Sequence, residues 1–202
     1  MSEHVECVAR EFKDAVADVL LHAGKEDSRL ACVRVEFNGA GRVILSASDG
    51  YTAARVWVGC AFDTNPGPWV TCVDCRAFRD AAKAVCGSGS MFVRLDCAGG
   101  VLVLSCAQLG TTTTLAHYGS PAALDNVGAM LDEEAARVEA GEPVSVPRVA
   151  FYPKYLERLP KTKSHDEKTA PVVLYPSGER SRCYVRVGER FEALIMPTRL
   201  SD

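Results

Sequence analysis

The stretch VILSASDGYTAARV, residues 43–56, decides how this chain is read. It starts with β-branched and partly alternating apolar residues, breaks at Asp49-Gly50, and resumes as another run that suits a strand. A strand, a turn and a second strand are predicted. Just upstream, residues 30–37 (LACVRVEF) and 42–48 (RVILSAS) flank the glycine turn NGAG, which predicts a hairpin. Further upstream, residues 8–24 place Val8, Phe12, Val16, Val19 and Leu20 on one side of a helix, with Gly24 as its stop. One unit is therefore an amphipathic helix followed by strands joined through tight glycine turns.

The pattern recurs. A second unit begins with the short strand PWVTCV. It continues through a helix over residues 74–86, with Asp74 as N-cap and Phe78, Ala82 and Val85 inside. Strands are predicted at SMFVRLDC, VLVLSC and TTTTLAHY. A third unit opens at VPRVAF, with the helix PKYLERL carrying Pro153 in its first turn, and closes with APVVLY, SRCYVRV and FEALIMP. The helices recur at a spacing of roughly 70 residues, which marks a repeated supersecondary unit. Between the second and third units, residues 119–143 carry a thin apolar stripe (Leu124, Val127, Leu131, Val138) among Asp132, Glu133, Glu134 and Glu139. This segment reads as an acidic helix or ordered linker. Residues 160–171 are polar and loop-like.

The 202 residues suffice for one or two domains, and 48% hydrophobic and 24% charged content is ordinary for a soluble globular protein. No apolar run is long enough to span a bilayer, and the first residues carry charge throughout with no apolar signal region, so a cytoplasmic location is expected. Nine scattered cysteines without an export signal argue against a disulfide framework; Cys32, Cys97 and Cys106 read as small buried hydrophobes. The net charge of −3 disfavours a general nucleic-acid coat, but a local basic surface is compatible with it.

Such a surface is legible on the helices. Arg76, Arg79 and Lys83 share one face of the second helix at i, i+3 and i+7. Lys154, Arg158 and Lys161 share one face of the third, at i, i+4 and i+7. Arg10 and Lys13 share a face of the first, diluted by Asp14. A solvated helix face is the plain alternative. Three equivalent elements with the same bias suit a duplex phosphate backbone held without sequence preference. Exposed aromatics interleaved with these cations, as single-strand binding needs, are not found.

Two stretches point to a family. The run VILSASDGYTAARV resembles the L-x-x-x-A-T-D-G-[HY]-R-L-A segment of bacterial sliding clamps, the β subunit of DNA polymerase III. VAFYPKYLERL, then APVVLYPSGE and LIMPTRL, resembles the end of the clamp's last domain, which closes on V-M-P-M-R-L. The resemblance covers roughly three quarters of the chain. It implies an α+β fold of DNA-clamp-like repeats, about three here against the family's six: a complete domain over residues 1–120, an acidic helical linker over 121–145 and a half domain over 146–202. Twelve repeats in a ring would need four copies, so a homo-oligomer is expected. The small size suggests a phage or mobile-element version.

The resemblance also implies a groove for partner peptides of polymerases and clamp loaders, lined by Asp49, Gly50, Tyr51 and Thr52 with Leu194, Met196, Pro197, Thr198, Arg199 and Leu200. Thr52 stands where the family has Arg, and Thr198 where it has Met, so a smaller and more polar groove is expected. The implied role is processivity: tethering a polymerase to duplex DNA with no catalysis, no metal and no cofactor. A clamp-like adaptor or decoy that binds replisome peptides without a ring is the alternative. An enzyme reading rests on CVDC alone, in which Cys72 and Cys75 flank a helix start that would lower a thiol pKa. A zinc site would need a second pair, and Cys86, Cys97 and Cys106 lack that spacing.

Overall fold

The computed structural model describes residues 4–25, 28–63, 67–119, 122–141, 149–163, 170–178 and 181–198. The first unit comprises β1 (Val5–Val8), α1 (Ala9–Leu20), β2 (Cys32–Phe37), β3 (Arg42–Ser48) and β4 (Thr52–Asp63). The second comprises β5 (Trp69–Asp74), α2 (Cys75–Val85), β6 (Phe92–Ala98), β7 (Val101–Cys106) and β8 (Thr111–Leu115). Then come α3 (Ala122–Glu139), α4 (Pro153–Leu156), β9 (Val172–Pro176), β10 (Cys183–Val187) and β11 (Phe191–Ile195). Every strand ladder among the described residues is antiparallel, and the fold class is α+β, as the sequence pattern implies.

The first two units exchange strands. β5 of the second unit adds to β2 of the first, and β1 of the first adds to β6 of the second. Neither unit has a complete sheet alone, so the two form one body. The strand order is β5-β2-β3-β4-β1-β6-β7-β8. β4 is the branch point. One edge pairs with β3 along most of its length. The other edge divides: residues 52–56 pair with β11, and residues 60–63 pair with β1. The third unit, β9-β10-β11, joins the body through that first half of β4.

Strand alternation sorts the side chains into two layers. Val43, Leu45 and Ala47 of β3, Ala54, Val56 and Val58 of β4, and Phe191, Ala193 and Ile195 of β11 point to the face that carries α1 and α2. There Phe12 and Phe78 meet edge to face at 6.0 Å and lock the two helices together. Tyr155 and Leu159 close the same core from the third unit. His22, just after α1, is fully buried against the ring of Phe191 at 5.6 Å, and neither ring nitrogen finds a hydrogen-bond partner among the described residues. Asp18, also buried, accepts the backbone N–H of Lys163 with both carboxylate oxygens.

The opposite face is covered by α3. Leu124, Val127 and Leu131 are fully buried against Cys32, Ala53, Tyr184 and Leu194. The acidic segment is thus a docked layer, held to Arg34, Arg55 and Arg182 through Asp125, Asp132, Glu133 and Glu134.

Several predicted elements differ. β1 lies in a stretch that reads as polar chain; its pairing with both β4 and β6 makes it a strand. The predicted helix PKYLERL stops at Leu156. The ring of Pro160 has no N–H to give and would clash with the carbonyl four residues before it, that of Leu156, so the chain continues as a 3-10 turn over Leu159–Lys161. Lys154, Arg158 and Lys161 therefore do not share a continuous helical face. Much of VPRVAF lies outside the described residues; its Ala150 bridges to Thr198. Asp74 caps α2 as the sequence indicates, accepting the Ala77 N–H at 2.8 Å.

Candidate functional site

The turn between β3 and β4 is built by its own side chains. Gly50 adopts φ of 87°, which an L-residue with a Cβ rarely tolerates. The Asp49 carboxylate accepts the N–H groups of Tyr51 (2.9 Å) and Thr52 (2.7 Å), and the Ser48 hydroxyl donates to the Thr52 carbonyl. Arg158 then reaches in from the third unit, donating to Asp49 at 2.7 Å and to the Thr52 hydroxyl at 2.6 Å. Burial pushes the Asp49 carboxyl up, but the Thr52 N–H, the Arg158 guanidinium and the Tyr51 N–H outweigh it and hold the group below its usual range. Arg158, a DNA-facing candidate by its sequence position, is here the tie between the units.

On top of this tie sits an aromatic cluster. Tyr51, 62% exposed, stacks on Tyr155 at 6.0 Å, and Tyr152 meets Tyr155 edge-on. The Lys154 ammonium lies 4.8 Å from the Tyr155 ring centre and 5.6 Å from that of Tyr152. The backbone of Met196 donates to the Tyr51 carbonyl at 3.0 Å, and its side chain is 40% exposed. Tyr51, Thr52 and Met196 are therefore together, as the groove expectation requires, with Pro197 and Thr198 following half-buried. Leu194 is not open: α3 seals it to 4% exposure. Arg199 and Leu200 lie outside the described residues. Tyr152 and Tyr155 are absent from the sequence-based set; the aromatic spacing in FYPKY was their signal.

The basic residues of the first two helices lie apart from this junction. Arg10, Lys13, Arg76, Arg79 and Lys83 are exposed on α1 and α2, which the Phe12–Phe78 contact holds side by side. Arg10 makes a long contact to Asp14, at 4.0 Å, and Lys13 reaches the Cys86 carbonyl beyond the end of α2 at 3.5 Å. Asp80 interrupts the α2 surface. Lys161, the last residue of the 3-10 turn, is exposed and far from α1 and α2 in sequence.

Cys72 and Cys75 do not form an activated pair. Cys72 is buried, and burial, with smaller contributions from Cys32 and Asp74, pushes the Cys75 thiol up to about 12, opposite to the lowering expected at a helix start. Among the described residues no group of His, Cys, Asp or Glu side chains has the arrangement to hold a metal, and no helix is long and apolar enough to cross a membrane.

Reciprocal strand exchange, two helices on one face and edge-to-edge joining of units are the architecture of bacterial sliding clamps, and the chain has that fold. The sliding clamp of Pseudomonas aeruginosa superposes with a TM-score of 0.71 at 12% identity, covering 98% of this chain and 67% of that one. The Bacillus subtilis clamp gives 0.71 at 9% identity, over 99% and 65%. The DNA polymerase III beta subunit of Thermotoga maritima gives 0.65 at 14% identity, over 98% and 65%. The chain spans about two thirds of the length of these structures. No family model matches the sequence, and no curated protein matches it.

Proposed function

We propose that the chain tethers a replication protein to duplex DNA in the manner of a sliding clamp. The observation that supports this most is the contact of α1 with α2, two helices on which Arg10, Lys13, Arg76, Arg79 and Lys83 are all exposed although the net charge of the chain is −3. Such a surface suits phosphates held by charge, with no base readout and no chemistry. Lys154 and Lys161 would contribute less, since Lys154 is engaged with the tyrosine rings. The Tyr51–Met196 junction, with Tyr51 seated on buried Tyr155 and Tyr152 exposed beside it, is the surface for partner peptides of a polymerase or clamp loader, with aromatic and apolar anchors. β8 and β9 each pair on one edge only among the described residues and offer the edges through which copies would join.

The DNA reading is tested by fluorescence anisotropy with a labelled duplex across a salt series. Replacing Arg76, Arg79 and Lys83 together with glutamate should weaken binding at least tenfold at low salt. The slope of log K against log[salt] should fall by about 3 if all three meet phosphates. Unchanged affinity and slope would remove these helices from DNA contact. Assembly is tested separately by light scattering over a dilution series. A tetramer is expected; a monomer at every concentration would exclude encirclement and leave the peptide-binding adaptor.

A further inference from the structure

We propose that Cys7 and Cys60 form an oxidisable dithiol site, which a peroxide closes into a disulfide that fastens the seam between the first two units. The site is independent of the DNA and peptide readings.

The seam runs through β1. That strand pairs with β4 of the first unit on one edge and with β6 of the second on the other. Its ladder with β4 is short: Val5 lies opposite Asp63, Glu6 opposite Phe62 and Cys7 opposite Cys60. Ala61 is therefore an extra residue in β4, and such a bulge locally disrupts the ladder. Few backbone hydrogen bonds hold the two strands together where the cysteines meet.

Position selects this pair from the nine cysteines. Cys32 lies opposite Asp74, Cys72 opposite Arg34, Cys97 opposite Leu102, Cys106 opposite Thr111, and Cys183 between Ile195 and Pro176. Cys75 and Cys86 stand at the two ends of α2. Among the described residues, only Cys7 and Cys60 face each other across a ladder. Directly opposite residues point to the same side of a sheet, and both thiols pack into the main core. The N–H of Cys60 donates to the carbonyl of Gly41, just before β3, at 2.9 Å, and so turns away from β1. Toward β1, Cys60 occupies the narrow kind of antiparallel position, where regular partners have Cα atoms about 4.5 Å apart. Disulfides span Cα separations of roughly 4.4–6.8 Å.

The two sulfurs have distinct parts. Cys60 is half-buried and within reach of solvent, whereas Cys7 is fully buried. The Cys7 thiol donates a hydrogen bond to the Cys60 sulfur. This bond, with burial and the charges of Cys60, Glu11 and Cys86, pushes the Cys7 thiol up. Cys7 thus keeps its proton, and Cys60 reacts first. The Cys60 thiolate attacks one oxygen of the peroxide and the O–O bond breaks. Cys60 becomes a sulfenic acid, and the hydroxide that leaves takes up the proton Cys60 had released. The Cys60 charge that held the Cys7 proton is then gone. Cys7 attacks the Cys60 sulfur; the S–S bond forms, the S–O bond breaks, and the departing hydroxide takes the Cys7 proton. Two thiols have given two electrons to one peroxide, yielding one disulfide and two waters.

Mass spectrometry on the full chain tests this. The reduced protein, freed of reductant, is treated with hydrogen peroxide, unfolded in urea with iodoacetamide, and digested without reduction. The expected product is the Cys7 peptide joined to the Cys60 peptide, two hydrogens lighter than their sum, with the other cysteines alkylated. The Tm of the oxidised chain should rise by at least about 4 °C, because the bond closes the loop between residues 7 and 60 in the unfolded chain, and dithiothreitol should reverse the rise. Cys7 fully alkylated after oxidation, whether Cys60 remains a thiol, goes on to sulfinic acid, or joins Cys86 or a second chain, would overturn the site. A Cys7–Cys60 link that leaves Tm unchanged would overturn the fastening of the seam. The treatment acts on the unaltered chain, so no variant has to fold, and neither readout involves DNA or a partner.

Discussion

Truncating Phe12 to alanine is expected to destabilise the protein by about 3–5 kcal/mol, the usual cost of removing a large buried aromatic side chain from a tight core. Phe12 is fully buried, and its edge-to-face partner Phe78 comes from α2. The void would open where α1 and α2 meet, and neither helix can move inward without leaving the sheet. A surviving fold would also let the two helices shift, and with them the spacing between Arg10, Lys13 and the Arg76–Lys83 stripe. Chemical denaturation gives the first quantity, and the salt slope of duplex binding gives the second. A loss under about 1 kcal/mol would show that the helices repack freely and that the contact does not fix the basic surface.

His22 should make the protein acid-sensitive. Burial, reinforced by Arg158 and opposed by Asp49, lowers its pKa from 6.5 to about 3. The folded state thus holds the imidazole neutral while the unfolded chain protonates near 6.5. The stability contributed by the neutral ring is complete above pH 6.5 and is lost progressively as pH falls toward 3, at about 1.4 kcal/mol per pH unit. By pH 4.5 this group alone should cost about 3 kcal/mol. A His22→Leu variant fills the space without ring nitrogens that lack partners. It should match or exceed the unaltered protein at pH 7.5, and the gap should grow as the solution is acidified. Urea midpoints of the two proteins that stay parallel from pH 7.5 to 4.5 would refute this role. Because His22 abuts Phe191 and lies near the Asp49–Arg158 tie, acid should loosen the third unit before the first two.

The sequence carried most of the architecture where local signals agree with tertiary ones. NGAG between two β-branched runs fixes the β2–β3 hairpin, and Asp74 fixes the start of α2. β1 was not legible, because the alternation of Val5, Glu6 and Cys7 is too short to signal a strand among charged neighbours; two long-range ladders impose it. The acidic helix was legible as a helix, but its docking was not. Its stripe is thin, and its partners Arg34, Arg55 and Arg182 sit on strands far away in the chain, where they read as ordinary outward-facing residues. The candidate groove was half legible. The DGYT turn and Met196 meet, as the motif order implies. The Arg158 side chain, spaced as part of a basic stripe, instead closes on Asp49, because Pro160 ends the helix that would have carried the stripe.

The branching of β4 has a consequence for how the chain is made. Arg55 and its ladder partner Glu192 are 137 residues apart. At about 5–20 residues per second, the first half of β4 emerges from the ribosome roughly 7–30 seconds before the strand that covers its edge. Until then a nascent chain holds a folded hairpin with bare N–H and C=O groups at Thr52–Val56, a template for mispairing with a neighbour. Closing so distant a ladder is also slow in its own right. Yield in the cell should therefore depend on translation speed and on holding chaperones more than on the equilibrium stability of the finished fold.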